Sequence, residues 1–248
     1  MDLSVIIPVC NEAPNIRPLY HELKAVLSGP GVLDHEIIYV DDGSRDDTEA
    51  QVLKLAEEDG RVRLISLTRR SGLSAALAAG WESAQGALVV SMDGDLQHDP
   101  KDIPRLLSEL DKGCDLVCGH RRMPRYHDRV RDLFSGAANW AGRRLFGVTN
   151  RDFSTTFRAY RRSVVRDIFL FDGAHRFIPV LARMRGLKVA EVDIAYRVRR
   201  GGVSKVKIIP RLFKVIKDAV MLKVMSSGRP GRMVRPFKKI SYEIRSIK

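Results

Sequence analysis

The sequence predicts an α/β domain built on a doubly wound, mostly parallel sheet, and three observations carry that prediction. Short β-branched runs alternate with helix-length amphipathic stretches over the first 120 residues. Runs such as VIIPV and LVVSM are apolar on both faces, as in parallel strands covered by helices on each side. Acidic or amide clusters follow three of these runs, at the carboxyl ends where such sheets place their ligands.

The elements read in order as LSVIIPV, a helix over 16–27, EIIYV, a helix over 48–58, VRLISL, a helix over 74–84, ALVVSM, a helix over 103–110, and DLVCG. After Gly119 the pattern loosens into an arginine-rich stretch, a helix near 132–145, the strand-like FSTTFRAY, a helix around 177–185 and a strand near 188–196. The turn Arg200-Gly201-Gly202 precedes a basic amphipathic helix over 207–225. There Ile208, Leu212, Val215, Ile216, Ala219 and Leu222 recur at helical spacing, opposite Lys207, Arg211, Lys214 and Lys217, with Pro210 in the first turn. The expected organisation is a catalytic domain over 1–206, this helix, and a basic tail over 226–248 that reads as poorly ordered.

The net charge of +13 is concentrated at the C-terminal end, where sixteen Lys/Arg from residue 197 onward face only Asp218 and Glu243. Such a block suits anionic lipid or nucleic acid. Three cysteines, Cys10, Cys114 and Cys118, without a CxxC and histidine arrangement, argue against a disulfide framework and a zinc site and favour a reducing, cytoplasmic setting. The N-terminus lacks a basic n-region and reads as a strand, not a signal peptide. No stretch reaches the roughly 18 apolar residues of a membrane span. A membrane role therefore predicts surface attachment, with a membrane-spanning partner subunit as the other route to the bilayer.

Asp93-Gly94-Asp95 ends a buried-type strand, and its two carboxylates can turn toward one ion while the glycine lets backbone approach a ligand. Oxygen donors of this kind suit Mg²⁺ or Mn²⁺ completed by water and a diphosphate, with Gln97 and Asp99 adding oxygens nearby. Asp41-Asp42-Gly43-Ser44 offers two readings: Ser44 or Asp46 capping the next helix, and a carboxylate pair facing a nucleoside. His98 and His120 read as structural or solvent-facing.

Ile7 to Glu12 (IPVCNE), Val40 to Ser44 (VDDGS) and Met92 to Pro100 (MDGDLQHDP), in this order and spacing, resemble the family 2 glycosyltransferases. Gly119-His120-Arg121, residues 131–139, 152–158 and 199–205 (RRGGVSK) narrow the likeness to the dolichyl-phosphate mannose synthase and undecaprenyl-phosphate sugar transferase branch, over roughly residues 3–206. The resemblance implies the single-domain nucleotide-diphospho-sugar transferase (GT-A type) fold. It places Pro8, Glu12, Val40, Asp42, Asp93, Gly94 and Asp95 around a GDP- or UDP-linked sugar. Arg199 and Lys205 reach its diphosphate, and Asp93, Asp95 and Gln97 hold the metal. Arg121, Arg131 and Ser135 match acceptor-phosphate positions, and Asp95, Arg131 and Asp152 carry catalysis, Asp152 as a base or an orienting group. The chain has Thr155-Thr156 where the family commonly has Ser-Gly, and Arg69-Arg70-Ser71-Gly72-Leu73 where it often has Arg-Asn-x-Gly-Lys.

The implied activity is metal-dependent, inverting transfer of a sugar to a polyprenyl phosphate at the cytosolic membrane face. The alternative is a family 2 enzyme with a polysaccharide or other acceptor. A non-enzymatic nucleic-acid- or membrane-binding protein, suggested by the basic tail alone, would leave the acidic strand ends without a purpose, because carboxylates repel phosphate backbones unless a metal intervenes.

Overall fold

Alternation within each strand decides which side of the sheet it covers. In β1 (Leu3–Val9), Val5, Ile7 and Val9 join a core with α1 (Ala13–Leu27), α2 (Thr48–Glu58) and α4 (Ile103–Asp111). Ile6 of β1 faces the opposite core, formed with α3 (Leu73–Ser83) and α6 (Ile178–Met184). In β2 (His35–Asp41), Ile37 and Tyr39 take the first side and Ile38 and Val40 the second. Two apolar faces per strand are what a sheet sandwiched between helix layers requires.

The structure, a computed structural model, describes residues 1–29, 34–122, 144, 152, 155–168, 170–197 and 240–248. The remaining strands are β3 (Val62–Leu67), β4 (Leu88–Ser91), β5 (Leu116–Arg122), β6 (Arg158–Arg161), β7 (Val189–Ala195) and β8 (Ile244–Ile247), with α5 (Arg162–Asp167) following β6. Among the described residues they form one eight-stranded sheet in the order β7-β5-β6-β4-β1-β2-β3-β8. The pairs β1·β2, β1·β4, β2·β3 and β5·β7 are parallel, whereas β6 runs antiparallel between β4 and β5. β1 and β4 pair with Leu3 opposite Leu88 and Ile6 opposite Ser91, and β2 lies on the other side of β1 with Val9 opposite Asp41. The segments after all three strands therefore open on one edge.

The sheet predicted from the sequence is present as a single α/β domain. α1 begins at Ala13, three residues earlier than its apolar periodicity suggests, because Pro14 fits a first turn that needs no N–H donor. The tail expectation is corrected at its end. β8 pairs antiparallel with β3, the Arg245 guanidinium pairs with Glu49, and Ile240, Tyr242 and Ile244 pack on the α3-side core. The expected helices near 132–145 and over 207–225, and tail residues 226–239, lie outside the described residues.

At the sheet end remote from these segments, Glu36 is 1% exposed and carries a dense polar set. Its carboxylate accepts from Ser4 Oγ at 2.6 Å, the Gln85 N–H at 2.7 Å and Arg63 Nη1 at 2.6 Å. Glu36→Ala leaves these donors without their acceptor and is expected to destabilise the fold by about 3 kcal/mol. Denaturant unfolding checks this.

Candidate active site

The β1–α1 and β2–α2 loops are tied together at the sheet edge. Asn11, in the left-handed region at φ 53°, donates its N–H to Ser44 Oγ at 2.8 Å and accepts from the Arg45 N–H at 2.7 Å. The Glu12 N–H donates to Thr48 Oγ1 at 2.8 Å, and the Glu12 carboxylate accepts from Asn15 Nδ2 at 2.6 Å. Asp41 accepts from the N–H and hydroxyl of Ser44. Asp42 accepts from the N–H groups of Ser71 and Gly72, at 2.5 and 2.9 Å, where α3 begins. Burial raises both carboxyls above their usual range, opposed by these donors. The Asp41-Asp42 pair thus has partners inside the protein, and Asp42 joins the loop after β2 to the start of α3, where a carboxylate is favoured by the helix dipole. Pro8 and Val40 are register partners on adjacent strands, and the Val40 side chain is buried in the α3-side core. Gly43 sits at φ 69°, and a Cβ there would stand 2.6 Å from the Arg70 nitrogen, so the turn and the 69–72 loop approach each other backbone to backbone.

Beyond β4, the 93–99 loop is pinned from several directions. A Cβ on Gly94 would lie 2.6 Å from Val9 Cγ1, so the loop packs tightly on the end of β1. Leu96, buried at φ 63°, holds a strained conformation that the surroundings fix. The Gln97 N–H donates to Asp95 Oδ1 at 3.2 Å, while the Gln97 carbonyl accepts from the Arg197 N–H at 2.8 Å. The Arg197 guanidinium bridges Glu22 of α1 and Asp99 at 2.7 and 2.6 Å. Asp93 remains 39% exposed. Among the described residues no group of three or more His, Cys, Asp or Glu side chains converges as a metal cage. Two carboxylates and an amide oxygen on one loop instead fit Mg²⁺ or Mn²⁺, which keep waters and take further oxygens from a diphosphate.

His98 is buried beside this loop. Its Nδ1 accepts the Asp93 N–H at 3.3 Å, and its ring lies against Phe157 and Tyr196. Burial, with the Arg121 charge adding to it, pushes the ring down to about 4. The unfolded chain, whose histidine titrates near ~6.5, takes up this proton more readily than the native protein. The resulting stability is present above that pH and is lost as the pH falls toward 4, an effect on the order of 3 kcal/mol. His98→Phe is expected to flatten this stretch of the stability profile, as measured by urea unfolding across pH.

Arg121 and Asp152, expected from the sequence near the acceptor, come from β5 and the segment before β6. Arg121 Nε and Nη2 donate to the two Asp152 oxygens at 2.6 and 3.0 Å, and the guanidinium lies 5.1 Å from the Tyr196 ring centroid. The Asp152 N–H donates to Glu191 Oε1 at 3.2 Å. His120 pairs with Asp193 at 2.8 Å. Charges on Arg121, Asp95 and Asp152 act on His98, and those on Arg121, Asp95 and Asp93 act on Tyr196, so the acidic loop and the Arg121–Asp152 pair lie within electrostatic reach of the same two rings. Arg131, Ser135, Arg199 and Lys205 lie outside the described residues, as do Arg122's side chain and the rest of the arginine run. Sequence reasoning did not single out Tyr196, Arg197 or the wholly buried Arg158, whose Nη1 donates to the His175 carbonyl at 2.7 Å. Tyr196 and Arg197 directly follow β7, and their place at the carboxyl end of the strand expected near 188–196 was their one available signal.

Residues 4–169 of the sequence match the family described as glycosyl transferase family 2. The chain belongs to that family. Among its family 2 relatives is the dodecaprenyl-phosphate galacturonate synthase of Rhizobium johnstonii, 36% identical over 239 residues that cover 93% of this chain and 70% of the relative. Another is the undecaprenyl-phosphate 4-deoxy-4-formamido-L-arabinose transferase of Pseudomonas aeruginosa, 36% identical over 219 residues. The match covers 88% of this chain and 64% of that transferase, so the family 2 chain spans under two thirds of this relative. Among solved structures, glucosyl-3-phosphoglycerate synthase from Mycobacterium tuberculosis in complex with Mn²⁺, uridine-diphosphate and glucosyl-3-phosphoglycerate superposes with a TM-score of 0.68. It is 23% identical, and the match covers 99% of this chain and 86% of the synthase, a likeness of fold.

Proposed function

We propose that this family 2 glycosyltransferase moves a sugar from a nucleoside diphosphate to the phosphate of a polyprenyl lipid, with inversion at the anomeric carbon. The observation that carries this reading is the meeting of the Asp93/Asp95 loop with Arg121, Asp152 and Tyr196 beyond the same sheet edge. The names of the two relatives, both polyprenyl-phosphate sugar enzymes, support it.

Asp93, Asp95 and Gln97 would hold the divalent ion, and complexes of the mycobacterial synthase with Mg²⁺ or Mn²⁺ and uridine-diphosphate support a metal of this class. When bound, such an ion offsets the charge that builds on the departing diphosphate. Arg199 and Lys205 add cationic charge to the same group. A phosphate monoester has a second pKa near ~6 and is already nucleophilic at neutral pH, so it needs positioning more than deprotonation. Arg131 suits that task because a guanidinium grips phosphate through paired donors, and Arg121, whose Nε and Nη2 hold Asp152, would add its positive charge. Both Asp152 oxygens are engaged by Arg121, which supports a role for Asp152 in orienting the arginine over one in proton abstraction. In-line attack would turn an α-linked donor into a β-linked lipid phosphate.

No described helix is long and apolar enough to cross a membrane. The basic, amphipathic 207–225 segment would bring the site to lipid on the cytosolic face, with apolar insertion and charge attraction acting together. Incubation with a panel of GDP- and UDP-sugars and a polyprenyl phosphate, followed by mass analysis of the lipid, should yield one glycosylated product. Sedimentation with anionic vesicles should accompany it, and replacing Leu212, Val215 and Leu222 together by Ser should abolish the sedimentation. Glycosylation of an oligosaccharide in place of the lipid would move the chain to the polysaccharide reading.

A further inference from the structure

We propose that His98 is a positioning residue for sugar transfer, locking the Asp93 peptide on the donor side to the Tyr196–Arg121 pair on the acceptor side. The proposal rests on the function given above and on contacts that lie wholly within the described residues. His98 is 1% exposed, yet it is tied to the acidic loop by a polar atom, with Nδ1 accepting the Asp93 N–H at 3.3 Å. A neutral ring that accepts at Nδ1 carries its proton on Nε2, an assignment made from the hydrogen-bond network. Nε2 is buried and has no hydrogen-bond partner among the described residues. Packing alone would be served by phenylalanine, which buries no lone donor. The presence of an imidazole with a lone buried donor points to the bond made by the other nitrogen.

The ring also reaches the opposite side of the site. It lies 5.1 Å from the Phe157 ring at 32° and 5.9 Å from the Tyr196 ring at 56°, and the His98 and Tyr196 backbones form an antiparallel bridge. The Arg121 guanidinium lies 5.1 Å from the Tyr196 ring centroid and makes its bidentate pair with Asp152. Phe157 directly precedes β6, and Tyr196 directly follows β7. One side chain therefore contacts the carboxylate loop, the strand behind the acceptor side and the aromatic platform under the arginine. Displacing the ring moves Tyr196, and with it the support of Arg121. Losing Nδ1 releases the Asp93 peptide.

These two roles separate by substitution. His98→Phe keeps a ring but removes the acceptor for the Asp93 N–H, whereas His98→Asn keeps an acceptor near the Nδ1 position but removes the ring. Binding of Mn²⁺ in the presence of uridine diphosphate, followed by electron paramagnetic resonance of the free ion, needs no turnover. It is expected to weaken by about tenfold in His98→Phe and to stay within about threefold of wild type in His98→Asn, the scale usual for residues that orient metal ligands. The KM for polyprenyl phosphate should show the converse pattern, rising in His98→Asn and holding near wild type in His98→Phe. If His98→Phe does not fold, His98→Gln, whose longer amide reaches the Nε2 position instead, takes its place with the same expected loss of metal affinity. Unchanged Mn²⁺ binding in the variant lacking the acceptor, or identical changes in both variants, overturns the proposal. Failure of wild type to glycosylate any polyprenyl phosphate would overturn the proposed function, while the Mn²⁺ titrations would still decide the link between His98 and Asp93.

Discussion

Asp95→Asn is expected to lower turnover by at least ~100-fold, because it would delete a charged ligand of the proposed metal site beside the departing diphosphate. The substitution keeps the size of the side chain and keeps an oxygen able to accept the Gln97 N–H, which Asp95 Oδ1 now accepts at 3.2 Å. The loop is further held by the Arg197 N–H on the Gln97 carbonyl and by the Arg197 pair with Asp99. Thermal unfolding should accordingly shift little. Turnover of wild type in excess chelator, measured with the nucleotide sugar that proves active, should fall to the level of the variant. Wild-type turnover that persists in chelator, or an Asp95→Asn enzyme within a few-fold of wild type, would remove the metal from the mechanism.

What was legible in the sequence follows from which interactions are local. Strands such as VIIPV announce themselves because both faces are apolar, and both faces are in fact covered by helices. The acidic clusters were legible because a carboxylate directly after a buried strand has nowhere to go but the sheet edge. The partners of those carboxylates were not. Asp42 finds the N–H groups of Ser71 and Gly72, and Arg121 finds Asp152, about thirty residues away in each case, and no periodicity reports such pairs. Charge also conceals burial: Arg158 in FSTTFRAY is fully buried, and Glu36 at the start of EIIYV anchors three donors, although ionisable side chains are usually found at the surface. The same bias obscured β8, where Ile240, Tyr242 and Ile244 alternate with polar residues at strand period. The Lys and Arg around them suggest a solvated tail, whereas the apolar set packs on the core and the strand covers the β3 edge.

Arg121→Met is expected to act on stability and on the acceptor together. The guanidinium is 21% exposed and its Asp152 partner 8%, so the pair is largely withdrawn from water. Removing one member of such a pair costs about 3–5 kcal/mol, since the remaining carboxylate keeps its desolvation without its bidentate partner. Exchanging both for apolar groups avoids that mismatch, and Arg121→Met with Asp152→Leu should be more stable than Arg121→Met alone, a non-additivity that denaturant unfolding of the four proteins measures. If Arg121 served only the acceptor phosphate, the single variant would be as stable as wild type and the cycle would be additive. Kinetics separate the remaining role of Asp152. A general base that is lost costs ~10²–10⁴ in turnover. An orienting carboxylate replaced by Asn, which can still accept from one guanidinium nitrogen, should cost about tenfold or less and appear chiefly as a higher KM for polyprenyl phosphate. A loss of turnover in the larger range, with unchanged KM values for both substrates, would return Asp152 to proton abstraction and leave Arg121 to hold it in place.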